Sequence, residues 1–154
     1  MNKPVDIVKL VGELPSRSRG KACIVLTHEN EGQKEWAAEL ARQTESEHLD
    51  LLELFSEDAE LSRKISQFLI PNLFVFLKSY DKAPVLIVSG IEFLKATWSG
   101  QTNSVEQFAS HVETWNQKPC ILFVFQYDKI IATRDFRRYR QYTFVVDQKE
   151  TLAL

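Results

Sequence analysis

Residues 23–41 read CIVLTHENEGQKEWAAELA, and the change of texture along them decides the fold. Cys23, Ile24, Val25 and Leu26 form a short apolar run with no polar alternation, the pattern of a strand covered on both faces. Thr27 to Gly32 is polar. From Gln33 onward, Trp36, Ala37, Leu40 and Ala41 fall on one side of a helical pattern.

The same alternation continues outward. Val85–Val88 reads as a strand, announced by Ala83-Pro84 and stopped by Ser89-Gly90. Ile121–Phe125 is another, entered through Lys118-Pro119, and Thr143–Val146 is a fifth. His48–Leu54 reads as a strand or a helix. Val5, Val8, Leu10, Val11 and Leu14 space as a short amphipathic helix, broken by Pro15 and the SRSRG stretch. Asp58–Tyr80 is helical, with Leu61, Ile65, Phe68 and Leu69 as its stripe and Pro71 dividing or kinking it. Ile91–Trp98 holds at least a helical turn, and 99–104 reads as a loop. Val105–Trp115 is a helix with Ser104 as its expected N-cap.

Strands separated by helices imply a parallel sheet with right-handed crossovers. The expected architecture is one three-layer α/β domain over residues 1–154, with a five-stranded, mainly parallel sheet and residues 1–20 as an N-terminal helix and connector. Ligands of such sheets sit beyond the carboxyl ends of the strands. That edge would carry Thr27–Lys34, Ser89–Glu92 and Gln126–Asp128.

The size and composition suit this. One domain is the natural content of 154 residues, and 44% apolar residues is ordinary. Cys23 and Cys120 each open an apolar run and read as buried, reduced thiols, which suits a cytoplasmic location. Met1–Leu14 lacks the continuous apolar stretch of a signal peptide, and no apolar run approaches the ~20 residues of a membrane helix. Residues 28–60 carry eleven acids against two bases, whereas 118–142 carry six bases against two acids. Such asymmetry marks either a partner-binding face or solvated helix surfaces. His28, His48 and His111 show no metal-ligand spacing, and no metal site is expected. Trp36, Phe68, Phe74, Phe108 and Trp115 read as core rather than as a ligand box.

A strand, loop and helix in this order is the setting of a phosphate-binding loop, whose working pattern is G-x-x-x-x-G-K-[ST]. Here the matching positions hold Thr27, His28–Glu31, Gly32, Gln33 and Lys34. One glycine is present, the lysine position is Gln33, and the magnesium-binding hydroxyl position is Lys34. Lys34 sits one residue late, so on a helix it points about 100° away from the required direction. Glu29 and Glu31 would repel phosphate. In PVLIVSGIEFL, the strand that should end in a magnesium-holding Asp ends instead in Ser89-Gly90, and Glu92 is the nearest carboxylate. The plain alternative makes the loop an ordinary solvated connection and Glu92 a solvent-facing residue; for both, the plain alternative is the better supported. Gly32, Gln33, Lys34 and Glu92 are the candidate nucleotide contacts, while Gln126 and Asp128 stand where a polar sensor would sit.

A second candidate surface is TRDFRRYRQY, residues 133–142. Arg134, Arg137, Arg138 and Arg140, with Tyr139 between them, could contact a protein or a nucleic acid. Equally, the arginines could pair with Asp135 and with the acidic half of the chain. Protein contact and internal pairing stand level; nucleic acid stands behind them, since one basic cluster in an acidic chain is thin ground.

From about Lys21 to Asp147 the chain resembles a minimal P-loop NTPase domain of the additional-strand, AAA+-like kind. More narrowly, KACIVLTHENEGQKEWAAELA, VLIVSGIEFL and FRRYRQYTFVVD resemble the small P-loop proteins of BREX phage-defence systems, the BrxF-like family. The resemblance implies a sheet ordered 5-1-4-3-2, with Cys23 and Cys120 on adjacent strands. It also implies a bacterial protein working inside a multi-protein defence assembly. The family pattern includes an intact phosphate loop; this chain departs from it at Gln33 and Lys34, and departs from the magnesium-holding strand end at Ser89. The expectation is a non-catalytic interaction subunit with protein partners, with no cofactor required. A divergent NTPase holding ATP and magnesium, and a nucleic-acid accessory protein, are the alternatives.

Overall fold

The computed structural model describes residues 3–28, 32–98 and 103–154. Five strands form one sheet: β1 (Ala22–Thr27), β2 (Glu47–Asp50), β3 (Val85–Ser89), β4 (Cys120–Gln126) and β5 (Val145–Asp147). Their order is β2-β3-β4-β1-β5, and every pairing is parallel. This is the order 5-1-4-3-2 read from the other edge. Cys23 pairs in register with Leu122, so the strands of Cys23 and Cys120 are neighbours, and both thiols are free and buried.

The three central strands are apolar up to their last residues, Thr27, Ser89 and Gln126, because both their faces are covered. Ile24, Leu26, Leu86, Val88, Phe123 and Phe125 point to one side. There they meet α3 (Leu51–Glu57), α5 (Ile70–Leu77), α6 (Glu92–Trp98) and α7 (Ser104–Thr114). Cys23, Val25, Ile87, Leu122 and Val124 point to the other side, against α1 (Ile7–Glu13) and α2 (Gln33–Thr44). Each fully buried aliphatic or Phe side chain contributes roughly 1.5–3 kcal/mol. Phe74, Phe108 and Trp115 are core residues, while Trp36 and Phe68 pack half-buried at its margins. Phe108 stands edge-on to Phe123, with ring centroids 4.9 Å apart.

Several boundaries differ from expectation. The strand within 48–54 covers only Glu47–Asp50; the Asp50 carboxylate then accepts from Glu53 N–H at 2.9 Å and starts α3. The long helix expected over 58–80 is three pieces. These are α4 (Ala59–Arg63), a 3-10 turn (Ile65–Gln67) and α5, in whose first turn Pro71 sits, where no N–H is needed. Asn103, in the left-handed region, precedes α7, so Ser104 is its first residue rather than its cap. Part of the loop expected over 99–104 lies outside the described residues. Lys129–Thr133 forms a short helix, α8, that the sequence reading did not include. No helix among the described residues is long and apolar enough to cross a membrane.

Candidate functional site

The carboxyl edge of the sheet gathers Thr27, Ser89 and Gln126 from three adjacent strands. Gly32 leads into α2 with φ of +85°, a backbone that glycine adopts without steric cost. The next residue, Gln33, is turned inward and buried. Its Nε2 donates to Thr27 Oγ1 at 3.1 Å, and its Oε1 accepts from Gly90 N–H at 3.4 Å. The side chain at the lysine position of the phosphate-loop pattern therefore stitches β1 to the end of β3. Glu29 and Glu31 lie outside the described residues.

Lys34 points elsewhere. Its ammonium is exposed and pairs with Glu53 on α3, which raises its pKa. The expectation that the helix would carry Lys34 away from the position of Gln33 is met.

At the end of β3, the Ser89 hydroxyl is fully buried and donates to Asp50 Oδ2 at 2.8 Å. His48 Nε2 lies 2.8 Å from the same Oγ. Burial holds the His48 ring below its usual pKa, against the nearby Asp50 carboxylate. Gly90 follows with φ of +68°, and a Cβ there would lie 2.7 Å from Asp50 Oδ1. Ser89 thus serves as a hydrogen-bonded clasp between β2 and β3.

Glu92, the first residue of α6, is half-buried and does not simply face solvent, which corrects the plain expectation for it. Its Oε2 is buried without a hydrogen-bond partner among the described residues. Burial pushes the carboxyl above its usual pKa, while hydrogen bonding from Gln33 and the Gln126 backbone pulls the other way. Gln33, Lys34, Asp50, Glu53, Glu92 and Gln126 all border one open cleft of about 390 Å³. The cleft brings Gly32's neighbours and Glu92 together, but its walls carry three carboxylates against one already paired ammonium. Asp128 is engaged elsewhere: it starts α8 through Ile130 N–H at 2.8 Å and pairs with Lys95 at 2.7 Å. Among the described residues, no group of three His, Cys, Asp or Glu side chains is arranged to hold a metal ion.

The arginine segment is a turn that divides its labour. Arg134, only 13% exposed, reaches Glu106 at 2.6 Å and Glu113 at 3.1 Å and lies over the Phe136 ring. Arg137, 79% exposed, pairs with Asp135 at 2.9 Å; Arg140 reaches the same carboxylate at 3.8 Å. Arg138 is exposed, and its backbone N–H donates to Glu113. Phe136 stacks on the core residue Phe144 at 5.2 Å, and Tyr139 and Tyr142 pack against the same cluster. The aromatic rings of the segment thus pack against the core, leaving Arg137, Arg138 and Arg140 outside.

No role was expected from the sequence for Asp50, Glu113 or Arg17; Thr27 was placed only as a loop position, and His48 was weighed only as a metal ligand. For Glu113 a signal exists, since it follows Ala109 by four residues and so falls on the buried stripe of α7. A carboxylate there requires a cation, and Arg134 supplies it. Arg17 is buried where its guanidinium donates to Gly20 O and Thr143 O and lies 4.7 Å from the Tyr142 ring centre. No protein-family model matches the chain, and no curated protein matches it in sequence.

Proposed function

We propose that this protein is a non-catalytic, P-loop-like subunit that works by binding other proteins within a bacterial assembly. The observation that carries this reading is Gln33. A phosphate loop needs a free ammonium at that position to neutralise β- and γ-phosphates. Here the position holds an amide whose two ends are spent on Thr27 and Gly90. The hydroxyl position is Lys34, committed to Glu53, and the magnesium-holding position is Ser89, committed to Asp50. What surrounds the cleft is acidic and would repel a triphosphate.

A scaffold without its phosphate-binding groups works through its surfaces. The exposed guanidinium groups of Arg137, Arg138 and Arg140 suit an acidic protein face, because Arg is enriched at interfaces. The packing of Phe136, Tyr139 and Tyr142 against the core weighs against nucleic acid, since it takes up ring surface on which bases would stack. The resemblance to the small P-loop proteins of BREX systems supplies the setting, a cytoplasmic phage-defence complex.

Isothermal titration of the protein with ATP and magnesium tests the reading. No heat of binding is expected; micromolar affinity would overturn it. Purification of the tagged chain from its native host should bring down a stoichiometric protein partner. Charge reversal at Arg137, Arg138 and Arg140 should release that partner, and retention would move the interface elsewhere.

A further inference from the structure

The amino-terminal edge of the sheet, opposite the cleft described above, carries a larger hollow of about 480 Å³. It lies where β1, β3 and β4 begin. Lys21, Lys82 and Lys118 border it, against a single carboxylate, Asp81. Pro15 and Pro84 give it apolar walls, and the nearly buried Cys120 forms part of its lining. In a chain of net charge −2, a hollow with three cations and one anion is a local reversal of sign.

Cys120 lies at the floor of this hollow, close to its lysines. Burial pushes the Cys120 thiol pKa up, while Lys21, Arg17 and Lys118 pull it down. Lys21 is held in place, its ammonium donating to Pro15 O at 3.0 Å. Lys82 and Lys118 are exposed and have no ion-pair partner among the described residues, so both are available to a ligand. The backbone beneath is firmly set: Lys21 N–H donates to Trp115 O at 2.7 Å and Cys120 N–H to Pro84 O at 3.0 Å. Small-molecule sites span about 300–1,000 Å³, are mostly apolar and contain a few placed polar groups. This hollow has that size, and it sets the apolar surface of Pro15, Ala83, Pro84 and Cys120 beside a polar rim that includes Lys82 and Lys118.

We infer that the amino-terminal edge is a binding site for a small amphipathic organic anion. The carboxylate, sulfonate or phosphate head lies between Lys82 and Lys118, and the apolar body lies against Pro15, Pro84 and Cys120. This site is separate from the cleft at the other edge and stands or falls independently of the proposed function.

Anilinonaphthalene sulfonate, an amphipathic anion that fluoresces in apolar surroundings, is a suitable probe. Titration of the folded protein at low salt should show saturable binding at one site. The double variant Lys82→Glu/Lys118→Glu should weaken it at least tenfold, and Lys82→Arg/Lys118→Arg should keep it. Reversal of two cations remote from the hollow, Lys9→Glu/Lys149→Glu, should leave affinity within twofold. Circular dichroism and the melting temperature verify that each variant is folded. Absence of saturable binding, or equal affinity in the two charge-reversed proteins, would overturn the site. Filling the hollow with Ala83→Trp gives a second check: it should abolish binding without altering the charge, and full retention would place the probe elsewhere.

Discussion

Gln33 Nε2 lies 3.1 Å from Thr27 Oγ1, so the first residue of α2 is tied to the last residue of β1 across the intervening loop. Its other end holds the Gly90 amide at 3.4 Å. The side chain is structural, and its removal should register in stability. Gln33→Ala leaves the Gly90 amide and the Thr27 hydroxyl less well paired, at a cost of about 1–3 kcal/mol. Urea denaturation measures this. Gln33→Lys should still bind no ATP in a calorimetric titration, because Asp50, Glu53 and Glu92 remain around the cleft. ATP binding by that variant would show that the single position, and not the acidic wall, excludes the nucleotide.

The clasp at the end of β3 makes a second prediction. Gly90 has φ of +68°, and an added Cβ would meet Asp50 Oδ1 at 2.7 Å. Asp50 cannot easily retreat, because Ser89 Oγ and Glu53 N–H both hold it. Gly90→Ala should cost about 1–2 kcal/mol for its backbone and a further ~1–3 kcal/mol for the contact. In an Asp50→Ala background only the backbone part remains. A double-mutant cycle by urea denaturation should therefore give a coupling above about 0.5 kcal/mol. Simple additivity would mean that Asp50 does not constrain Gly90.

The central strands were legible because burial on both faces leaves an unbroken apolar run, as in Cys23–Leu26 and Ile121–Phe125. β2 was ambiguous for the complementary reason. It is an edge strand reading EHLD, in which only Leu49 is buried, and two of its polar residues, His48 and Asp50, belong to the clasp with Ser89. α8 has five residues and one buried side chain, Ile131, too few to show a period. At the cleft, the substitutions at Gln33 and Ser89 were visible in the sequence, but the partners that occupy them were not. Thr27 is six residues from Gln33, and Asp50 is 39 residues from Ser89. The first pair is set by how the loop returns α2 to the end of β1 and the second by strand order and register, none of which local patterns encode. The arginine segment was legible as a cluster, yet only the buried Glu113 decides which arginine turns inward.

Arg134 and Arg137 differ by three positions and should differ widely in effect. Arg134 and Glu113 have side chains only 13% and 8% exposed, so Arg134→Ala strands a buried carboxylate. Breaking such a pair typically costs about 3–5 kcal/mol. Glu113→Gln should recover part of that loss in the Arg134→Ala background, since a neutral amide is cheaper to bury. Arg137→Ala, on the exposed surface, should stay within about 0.5 kcal/mol of wild type. Chemical denaturation of the four proteins checks the contrast. Equal effects would mean that the segment is not organised around Glu113.

Two titrating groups, Glu92 at the cleft and His48 in the clasp with Ser89, bias stability in opposite directions with pH. Burial raises the Glu92 carboxyl above its usual 4.5, so folding favours its protonated form. Its stabilising contribution is full below pH 4.5 and is lost as pH rises through the folded-state value. Glu92→Gln is neutral throughout, so it should gain stability over wild type at pH 7 and lose that advantage at pH 4. His48 runs the other way. Burial lowers its pKa below the usual 6.5, with Asp50 and Glu53 opposing and Lys34 assisting. Its contribution is present above pH 6.5 and is lost as pH falls through the folded-state value. His48→Gln should therefore flatten the decline between pH 7 and pH 5. Urea midpoints of wild type and both variants from pH 4 to pH 8 resolve the two slopes. An advantage of Glu92→Gln that grew toward acid pH would contradict the burial of that carboxyl.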